Sequence, residues 1–425
     1  MRSLSSLSTF SGLRHRNYRL FWTGSLVSLI GTWMQGTAQS YLVWELTRSP
    51  LATTLTTLFF GLPSMLLSLV GGAIADRVDR RRLLLTTQSL FTLQAAILTV
   101  LAFGGWLQVW HIYLLALFSG AIIAVDAPTR QSLVPSLVSR EDLSNAIALN
   151  STAFNGARVI GPPLAGLLYA AAGPAWCFLL NTVSFLAILY PLSIIRPEPV
   201  TPGPRRAVWH QVREGLDYSR HHALIFALLL MVALVGTFAF TYIVLMPVIA
   251  SQVLGGGPRE NGFLTGAAGV GATLGALTVA TLGRARRPGR IIAGFGLAGA
   301  AGLVLFSLSR TLLLSMVITA ATAGAIMAFL ATTNSTIQAY TPDALRGRIM
   351  SLYTMALIGG GPANALLAGV LANALGAPMA IAISAVLMAL AVIFIASRYR
   401  SLYDLDTNEE PAPVEPTPQL VGSRR

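Results

Sequence analysis

Long apolar runs, separated by short polar or turn-forming stretches, dominate this sequence. A helix needs about 20 mainly apolar residues to cross a bilayer, and twelve runs reach roughly that length. They span roughly 18–45, 51–75, 83–105, 110–135, 143–172, 174–195, 223–253, 260–283, 289–309, 311–340, 343–372 and 377–397. Only 11% of the residues are charged, far below the roughly 25% of soluble domains. A water-soluble fold is therefore excluded, and the sequence predicts an all-α polytopic membrane protein with twelve transmembrane helices.

The distribution of basic residues predicts an orientation. The chain has 29 basic and 16 acidic residues, a formal net charge of +13, and every basic residue is an arginine. With a cytoplasmic N-terminus, 25 of the 29 arginines fall on the cytoplasmic side, whereas Arg48, Arg259 and Arg310 fall outside and Arg158 lies within a span. This asymmetry fits the positive-inside rule with both termini in the cytoplasm. Because topology accounts for the charge, we expect no nucleic-acid partner.

A polar stretch in the middle of the chain divides the twelve spans into two sets of six. Residues 1–195 are predicted to form an N-terminal six-helix bundle, and residues 223–397 a C-terminal one. The proline-rich linker 196–222 ends in an amphipathic pattern from Val208 to Tyr218, which predicts a short helix on the cytoplasmic membrane face. The polar tail 398–425 is predicted to be disordered.

A weak internal repeat supports the same division. Gln131–Pro135 precedes a span that contains Leu164–Gly166, and Gln338–Pro342 precedes one that contains Leu367–Gly369. Two parallel halves of six spans are one known transporter architecture.

The most specific motif lies between the second and third spans. It resembles the cytoplasmic-loop signature of the major facilitator superfamily, G-x-x-x-D-R-x-G-R-[RK]. The matching residues are Gly72, Asp76, Arg77, Arg80 and Arg81. Asp79 stands where the family has glycine, and aspartate is one of the few residues that tolerate a left-handed turn. Independently of the resemblance, Gly72 is expected to allow close helix approach, and the arginines can form bidentate pairs that break when two halves move apart.

The resemblance implies a gate between the halves. Asp76 would contact the start of span eleven, near Asp343–Arg348, and Arg80 would pair with an acid in span four, where Asp126 is available. The alternative is a loop that serves only as a positively charged anchor.

Span four and the helix after it resemble one branch of this superfamily, the enterobactin-exporter-like and macrolide-efflux-like proteins. The resemblance rests on Asp126–Pro135, Glu141–Asn150 and Asn155–Gly166, and it extends over about residues 10–397. Asp126 and Arg130 lie four residues apart, which predicts an ion pair on one helix face. Two roles for Asp126 remain open, a structural latch and a proton carrier.

The fifth span carries two further features. Arg158 lies near its middle, where a charge is costly; it either attracts an anionic substrate or is a structural cation bonded to carbonyls. Gly156, Gly161, Pro162 and Gly166 resemble the superfamily's fifth-span signature that is associated with exporters. The alternative is an ordinary kinked span.

In the fold that the resemblance implies, spans one, four, seven and ten face a central cavity. Their polar and aromatic side chains suit a sizeable amphipathic compound, or else they bond neighbouring helices. Together with Arg158, the candidates are Trp33, Gln35, Gln39, Thr237, Thr241, Tyr242, Asn334 and Gln338.

The leading hypothesis is a secondary active exporter in the inner membrane of a bacterium, which moves a siderophore, drug or other amphipathic small molecule against protons by alternating access. A lipid or lysophospholipid transporter is the alternative. A membrane-embedded enzyme or a channel is less favoured, because the sequence has no Gly-rich phosphate loop, metal-ligand spacing or nucleophile–base pair. We expect a monomer in the lipid bilayer without a metal or cofactor.

Overall fold

The structure is a computed structural model that describes residues 8–75, 77–195, 208–282 and 287–399. Within these ranges the regular structure is entirely helical, which confirms the predicted fold class. After a short 3-10 segment (Ser8–Arg14), the helices are α1 (Arg16–Thr47), α2 (Pro50–Ala75), α3 (Arg80–Phe103), α4 (Val109–Leu133), α5 (Leu143–Ala172), α6 (Pro174–Ile194), α7 (Val208–His221), α8 (Ala223–Phe238), α9 (Pro258–Leu282), α10 (Pro288–Leu308), α11 (Leu312–Tyr340), α12 (Asp343–Leu375) and α13 (Ala377–Arg398). Short helical turns and one π-helical turn, Ile249–Val253, continue α8.

Ten helices in the described part of the chain are long and apolar enough to cross a membrane. Helices α1 and α5 are also long enough, at 32 and 30 residues, but they fall outside that set. Polar side chains such as Gln35, Gln39, Asn150 and Arg158 interrupt their apolar surface. With these two helices added, the number of spans is consistent with the predicted twelve.

Helices α1 to α6 pack mainly on one another, with α1 against α5 and α6, α2 against α4, and α3 against α6. In the remainder, α11 packs against α9 and α10, α10 against α13, and α12 against α8. Two contacts join these groups, α5 with α9 and α2 with α12. We call the groups the first and second half; their exact limits, 1–195 and 223–397, stay a prediction.

The buried apolar side chains form two clusters that differ in membership. The larger one contains much of the second half together with Tyr41, Trp44 and Phe178 of the first. These three residues lie near the end where Arg48, Arg259 and Arg310 are found, which we call the arginine-poor end. The smaller cluster, which includes Tyr18, Leu133 and Phe185, belongs to the first half alone and lies at the opposite, arginine-rich end. The halves therefore share a core at only one end.

The contact between α5 and α9 has the same asymmetry. A side chain on Gly166 would lie 2.6 Å from the carbonyl oxygen of Pro258, and one on Gly269 would lie 2.8 Å from that of Arg158. Further toward the arginine-rich end, Phe154 on α5 is exposed. The helices thus pack closely from the arginine-poor end to their middle and then part.

Two side-chain hydrogen bonds also connect the halves at the arginine-poor end. Arg48 donates to Ser251, and Ser49 donates to Asn373, both at 3.5 Å. Together with the packing of α5 on α9, these contacts leave a crevice that opens at the arginine-rich end.

The amphipathic helix predicted in the linker is present as α7. It packs on α8 and on the start of α12, where Arg348 and Glu214 form an ion pair at 2.9 Å. The rest of the linker, 196–207, and the predicted tail from residue 400 onward lie outside the described residues.

Candidate functional site

The loop between α2 and α3 carries the motif that resembles the superfamily signature, and its Asp76 lies outside the described residues. Arg77 is exposed. Asp79 does not adopt the left-handed turn that its position suggested, since its φ is −54°. Its carboxylate instead accepts the backbone N–H of Arg82 at 2.8 Å. Asp79 is therefore the N-cap of α3, a position that favours aspartate.

Close helix approach occurs one residue before the predicted position. A Cβ on Gly72 would have no atom within 4 Å, so the expectation for Gly72 is wrong in this structure. A Cβ on Gly71 would instead clash with the backbone carbonyl of Ala124, which brings α2 against α4. The helical phase of α2 decides which of two neighbouring glycines faces its partner.

The arginines at the start of α3 act differently from the prediction. The Arg81 guanidinium donates to the carbonyls of Leu192, at 2.6 Å, and Ser193, so it satisfies free carbonyls at the C-terminus of α6. Arg80 and Asp126, both in described parts of the chain, form no ion pair with each other, so that expectation is wrong in this conformation. Arg80 begins α3, and Thr87, the nearest partner of Asp126 on that helix, lies about 10 Å further along the axis.

Asp126 is nevertheless the centre of a polar cluster. Its buried carboxylate accepts hydrogen bonds from Thr87 at 2.6 Å and Gln88 at 2.7 Å. The predicted pair with Arg130 is confirmed, at 3.4 Å, and Arg130 also donates to Ser25 at 3.0 Å. The cluster joins α1, α3 and α4 inside the first half.

Two cavity candidates on α1 are buried. Gln35 is buried; its amide donates to Gln94 at 3.0 Å and accepts from Asn181 at 2.7 Å. Gln39, one turn later, is also buried. The assignment of Gln35 to the cavity is wrong, because its amide bonds to Gln94 and Asn181 within the first half, whereas the assignment of Gln39 stays a prediction. In the middle of this helix, between Ser28 and Tyr41, the exposed positions are Thr32 and Gly36.

The candidates on α8 and α11 divide in the same way. Thr241 is buried and donates to Asn364 of α12 at 2.9 Å, so its assignment to the cavity is also wrong. Thr237 is half-buried and donates to the carbonyl of Ala233. On α11, Gln338 is exposed and its amide donates to Asn334 at 2.6 Å. Asn334, Gln338 and Thr237 therefore remain accessible candidates.

Arg158 lies where α5 faces α1 and the second half. Its guanidinium carbon is 5.8 Å from the centre of the Trp33 ring, and Trp33 meets Phe154 edge to face at 5.9 Å. Tyr242 of the second half is buried and within electrostatic range of Arg158. Among the described residues, the Arg158 side chain has no hydrogen bond to a carbonyl, which removes the structural alternative as it was stated.

The glycine and proline residues of α5 serve two interfaces. A Cβ on Gly161 would lie 2.6 Å from the Cβ of Trp33, so this glycine lets α1 approach. Gly166 lets α9 approach, and the carbonyl of Pro162 lies 2.5 Å from the position of a Cβ on Gly262. Gly156 has open space beside it. The segment is thus a packing surface for α1 within the first half and for α9 of the second half.

Four residues around Asp126 and Arg158 were not singled out from the sequence: Ser25, Thr87, Gln88 and Phe154. A signal existed for two of them, because Thr87 and Gln88 are adjacent polar residues in an apolar span. No sequence signal pointed to Phe154, since an aromatic residue is common in an apolar helix.

Comparisons with known proteins agree with this architecture. Residues 7–421 match the family described as transmembrane secretion effector. The enterobactin exporters EntS of Shigella boydii serotype 18 and Escherichia coli strain SE11 are each 28% identical to this chain over 366 residues, 84% of this chain and 85% of theirs.

Solved structures show the same fold at low identity. A bacterial homolog of the human lysosomal transporter Spinster, inward-facing and unoccupied, has a TM-score of 0.71 at 15% identity and covers 92% of this chain and 98% of its own. An auto-inhibited POT family peptide transporter has a TM-score of 0.73 at 12% identity, with 93% and 98% covered. The chain belongs to the transmembrane secretion effector family, within the major facilitator superfamily of secondary transporters.

Proposed function

We propose that this protein exports an amphipathic small molecule, such as a siderophore or drug, across the inner membrane of a bacterium, and that protons drive the transport. The crevice between the halves carries the proposal, because it is open at the arginine-rich end and closed at the other. By the positive-inside rule the arginine-rich end faces the cytoplasm, so both termini are cytoplasmic and the crevice receives its substrate from inside the cell. A monomer suffices, since one chain supplies both halves.

The relatives support export and a siderophore as substrate. Enterobactin exporters match this chain over most of its length. The crevice lining is amphipathic, with Trp33, Phe154 and Arg158 near its deepest point, at the middle of α1 and α5. Transport of this kind requires no chemical conversion of the substrate, so we assign the protein no enzymatic activity.

We further propose that the segment Gly72–Arg81 closes the arginine-rich end when the protein opens to the outside. In the present conformation Arg77 is exposed, and the start of α12 is occupied by its own ion pairs, Arg346 with Asp343 and Arg348 with Glu214 of α7. Closure would bring this loop to α12, where it can exchange those partners. Gly72, Asp76, Arg77 and Arg80 form this gate, and Arg81 anchors it to α6.

Of the two roles considered for Asp126, structural latch and proton carrier, we assign it that of a structural latch. Its carboxylate is held by two neutral donors of α3 and by Arg130. All three partners belong to the first half, so these bonds hold α3 and α4 together, as a structural latch requires. It links α3 to α4 beside the gate.

Transport in inverted membrane vesicles tests the function. Vesicles that contain the protein, loaded so that their interior is acidic, should accumulate radiolabelled enterobactin; a protonophore should abolish accumulation. Vesicles without the protein are the control. Accumulation that persists after the gradient has collapsed contradicts proton coupling, and the absence of uptake with enterobactin and a panel of amphipathic drugs contradicts export.

A further inference from the structure

Arg158 carries a charge in the middle of α5 without a partner in the described part of the chain. Its side chain makes no hydrogen bond or ion pair with residues 8–75, 77–195, 208–282 or 287–399. Its guanidinium carbon lies 5.8 Å from the centre of the Trp33 ring, and buried Tyr242 of the second half, which is neutral as a phenol, is within electrostatic range. Arg130, in the neighbouring helix, differs because it has both Asp126 and Ser25.

The absence of a partner matters because of where Arg158 lies. A charged arginine at the centre of a membrane helix is costly to insert. A structural arginine would offset this cost with bonds to carbonyls or to an acid, and Arg158 has neither among these residues. A cation kept at such a cost in a transport crevice indicates a ligand that supplies the missing negative charge.

The surroundings of Arg158 are aromatic on one side and open on the other. Trp33 and Phe154 meet edge to face, with their ring centres 5.9 Å apart, and Phe154 is 47% exposed. A Cβ on Gly36, one turn after Trp33, would have no atom within 4 Å. There is thus accessible ring surface one turn before Arg158 on α5, and free space one turn after Trp33 on α1.

We propose that Arg158, Trp33 and Phe154 bind an anionic group that is carried on an aromatic ring. The guanidinium donates two parallel hydrogen bonds to a carboxylate or similar oxyanion, which is the arrangement its planar fork favours. The ligand's ring packs against the exposed face of Phe154 and the edge of Trp33. This inference rests on the proposed function only in placing the site on the transport path.

Equilibrium binding to purified protein in nanodiscs of neutral lipid tests the site without any gradient. The probes are 2-naphthalenesulfonate, its uncharged analogue 2-naphthalenesulfonamide, and 1-octanesulfonate, which places the same anion on an alkyl chain. We expect the aromatic anion to bind about tenfold more tightly than the amide, the gain of one charge-assisted hydrogen-bonded pair. It should also bind more tightly than octanesulfonate.

Variants separate charge from fold. Arg158→Gln should abolish the preference for sulfonate over sulfonamide while leaving sulfonamide affinity unchanged, and Arg158→Lys should retain part of it. Trp33→Leu should weaken both aromatic probes. The matched control is Arg259→Gln, because Arg259 lies 5.6 Å from the Phe263 ring in a similar geometry but is exposed at the arginine-poor end. That variant should bind as the wild type does.

Two results would overturn the proposal. One is a sulfonate preference that survives Arg158→Gln, which would place the anion elsewhere. The other is equal affinity for octanesulfonate, which would assign the site to acyl-chain anions such as lipids. Because no transport is measured, the absence of enterobactin export would refute the proposed function and leave this binding result unaffected.

Discussion

At the scale of single residues, the ion pair between Asp126 and Arg130 makes a testable contribution to stability. Asp126→Asn removes the counter-charge of a largely buried guanidinium, so we expect the free energy of unfolding to fall by about 3 kcal/mol. Arg130→Gln alone should cost a similar amount. The double variant should recover most of the loss, because it leaves no buried charge. Chemical unfolding of the purified variants in mixed micelles measures all three.

The same unfolding measurements test which arginine, Arg130 or Arg80, pairs with Asp126. Combining Asp126→Asn with Arg80→Gln should give additive effects, since those side chains form no ion pair in this conformation. A coupling energy between Asp126 and Arg80 as large as that between Asp126 and Arg130 would contradict the assignment.

A second residue-scale prediction concerns pH and the segment before α1. Hydrogen bonds from Ser11 and His15 hold the pKa of the Asp142 carboxyl below its usual value of 3.8. A carboxyl whose pKa is lower in the folded state stabilises that state above the unfolded pKa, and this contribution is lost as the pH falls through the folded pKa. Contacts of Ser8–Arg14 with the start of α5 should therefore weaken below about pH 4.

Hydrogen exchange of Gly12 reports on that contact, because its N–H donates to Asn145 at 2.9 Å. Protection should decrease on acidification from pH 5 to pH 3, after correction for the intrinsic exchange rate. In the variant Asp142→Asn it should be lower than in the wild type at pH 5 and change less with pH. Equal pH dependence in both proteins would contradict the role of Asp142.

Residues could be predicted from the sequence where local spacing decides the contact, and not where helix rotation does. The pair Asp126 and Arg130 follows from a spacing of four. The burial of Gln35 among Gln94 and Asn181 depends on how α1 is turned toward α3 and α6, and a residue's type does not report that angle. For the same reason, Gly72 was predicted to lie at the close helix contact, whereas Gly71 makes it.

At the scale of helices, the glycines of α5 control how closely the halves approach. Gly166→Val places a branched side chain against the backbone of Pro258 and Arg259 in α9, so we expect it to force the arginine-poor end apart. Gly156→Val is the matched control, since the same change on the same helix meets open space.

Electron–electron distance measurements between spin labels test that expectation. The labels are attached at Trp106→Cys and Leu313→Cys, which are exposed near the arginine-poor end of the first and second half, in a background of Cys177→Ala. Gly166→Val should shift the distribution to longer distances, whereas Gly156→Val should leave it unchanged. Identical distributions in both variants would show that this glycine does not control closure.

Helix existence was predictable throughout, because apolar runs of sufficient length have few alternatives in a membrane. The sequence did not predict that α1 and α5 would be less apolar than the other ten spans. Their polar content follows from their position: α1 is surrounded by α2, α5 and α6, so its polar side chains bond within the protein or face the crevice rather than lipid.

At the scale of the whole molecule, the crevice predicts which surfaces water reaches from each side. Ser151 is exposed on α5, two turns before Arg158. With Cys177→Ala as background, Ser151→Cys should react with a membrane-impermeant maleimide in inverted vesicles and not in right-side-out vesicles. Trp106→Cys should react in the opposite pattern. Reaction of Ser151→Cys from the outside alone would reverse the proposed orientation.

The unequal sharing of the two apolar clusters has a consequence for synthesis of the chain. Residues such as Tyr18, Leu133 and Phe185 can complete their core once α6 has left the ribosome, since every member of that cluster precedes residue 196. Tyr41, Trp44 and Phe178 must wait for helices that are made later. We expect a newly inserted first half to be ordered at its arginine-rich end and loose at its arginine-poor end, so that the second half finishes the assembly by docking at the arginine-poor end.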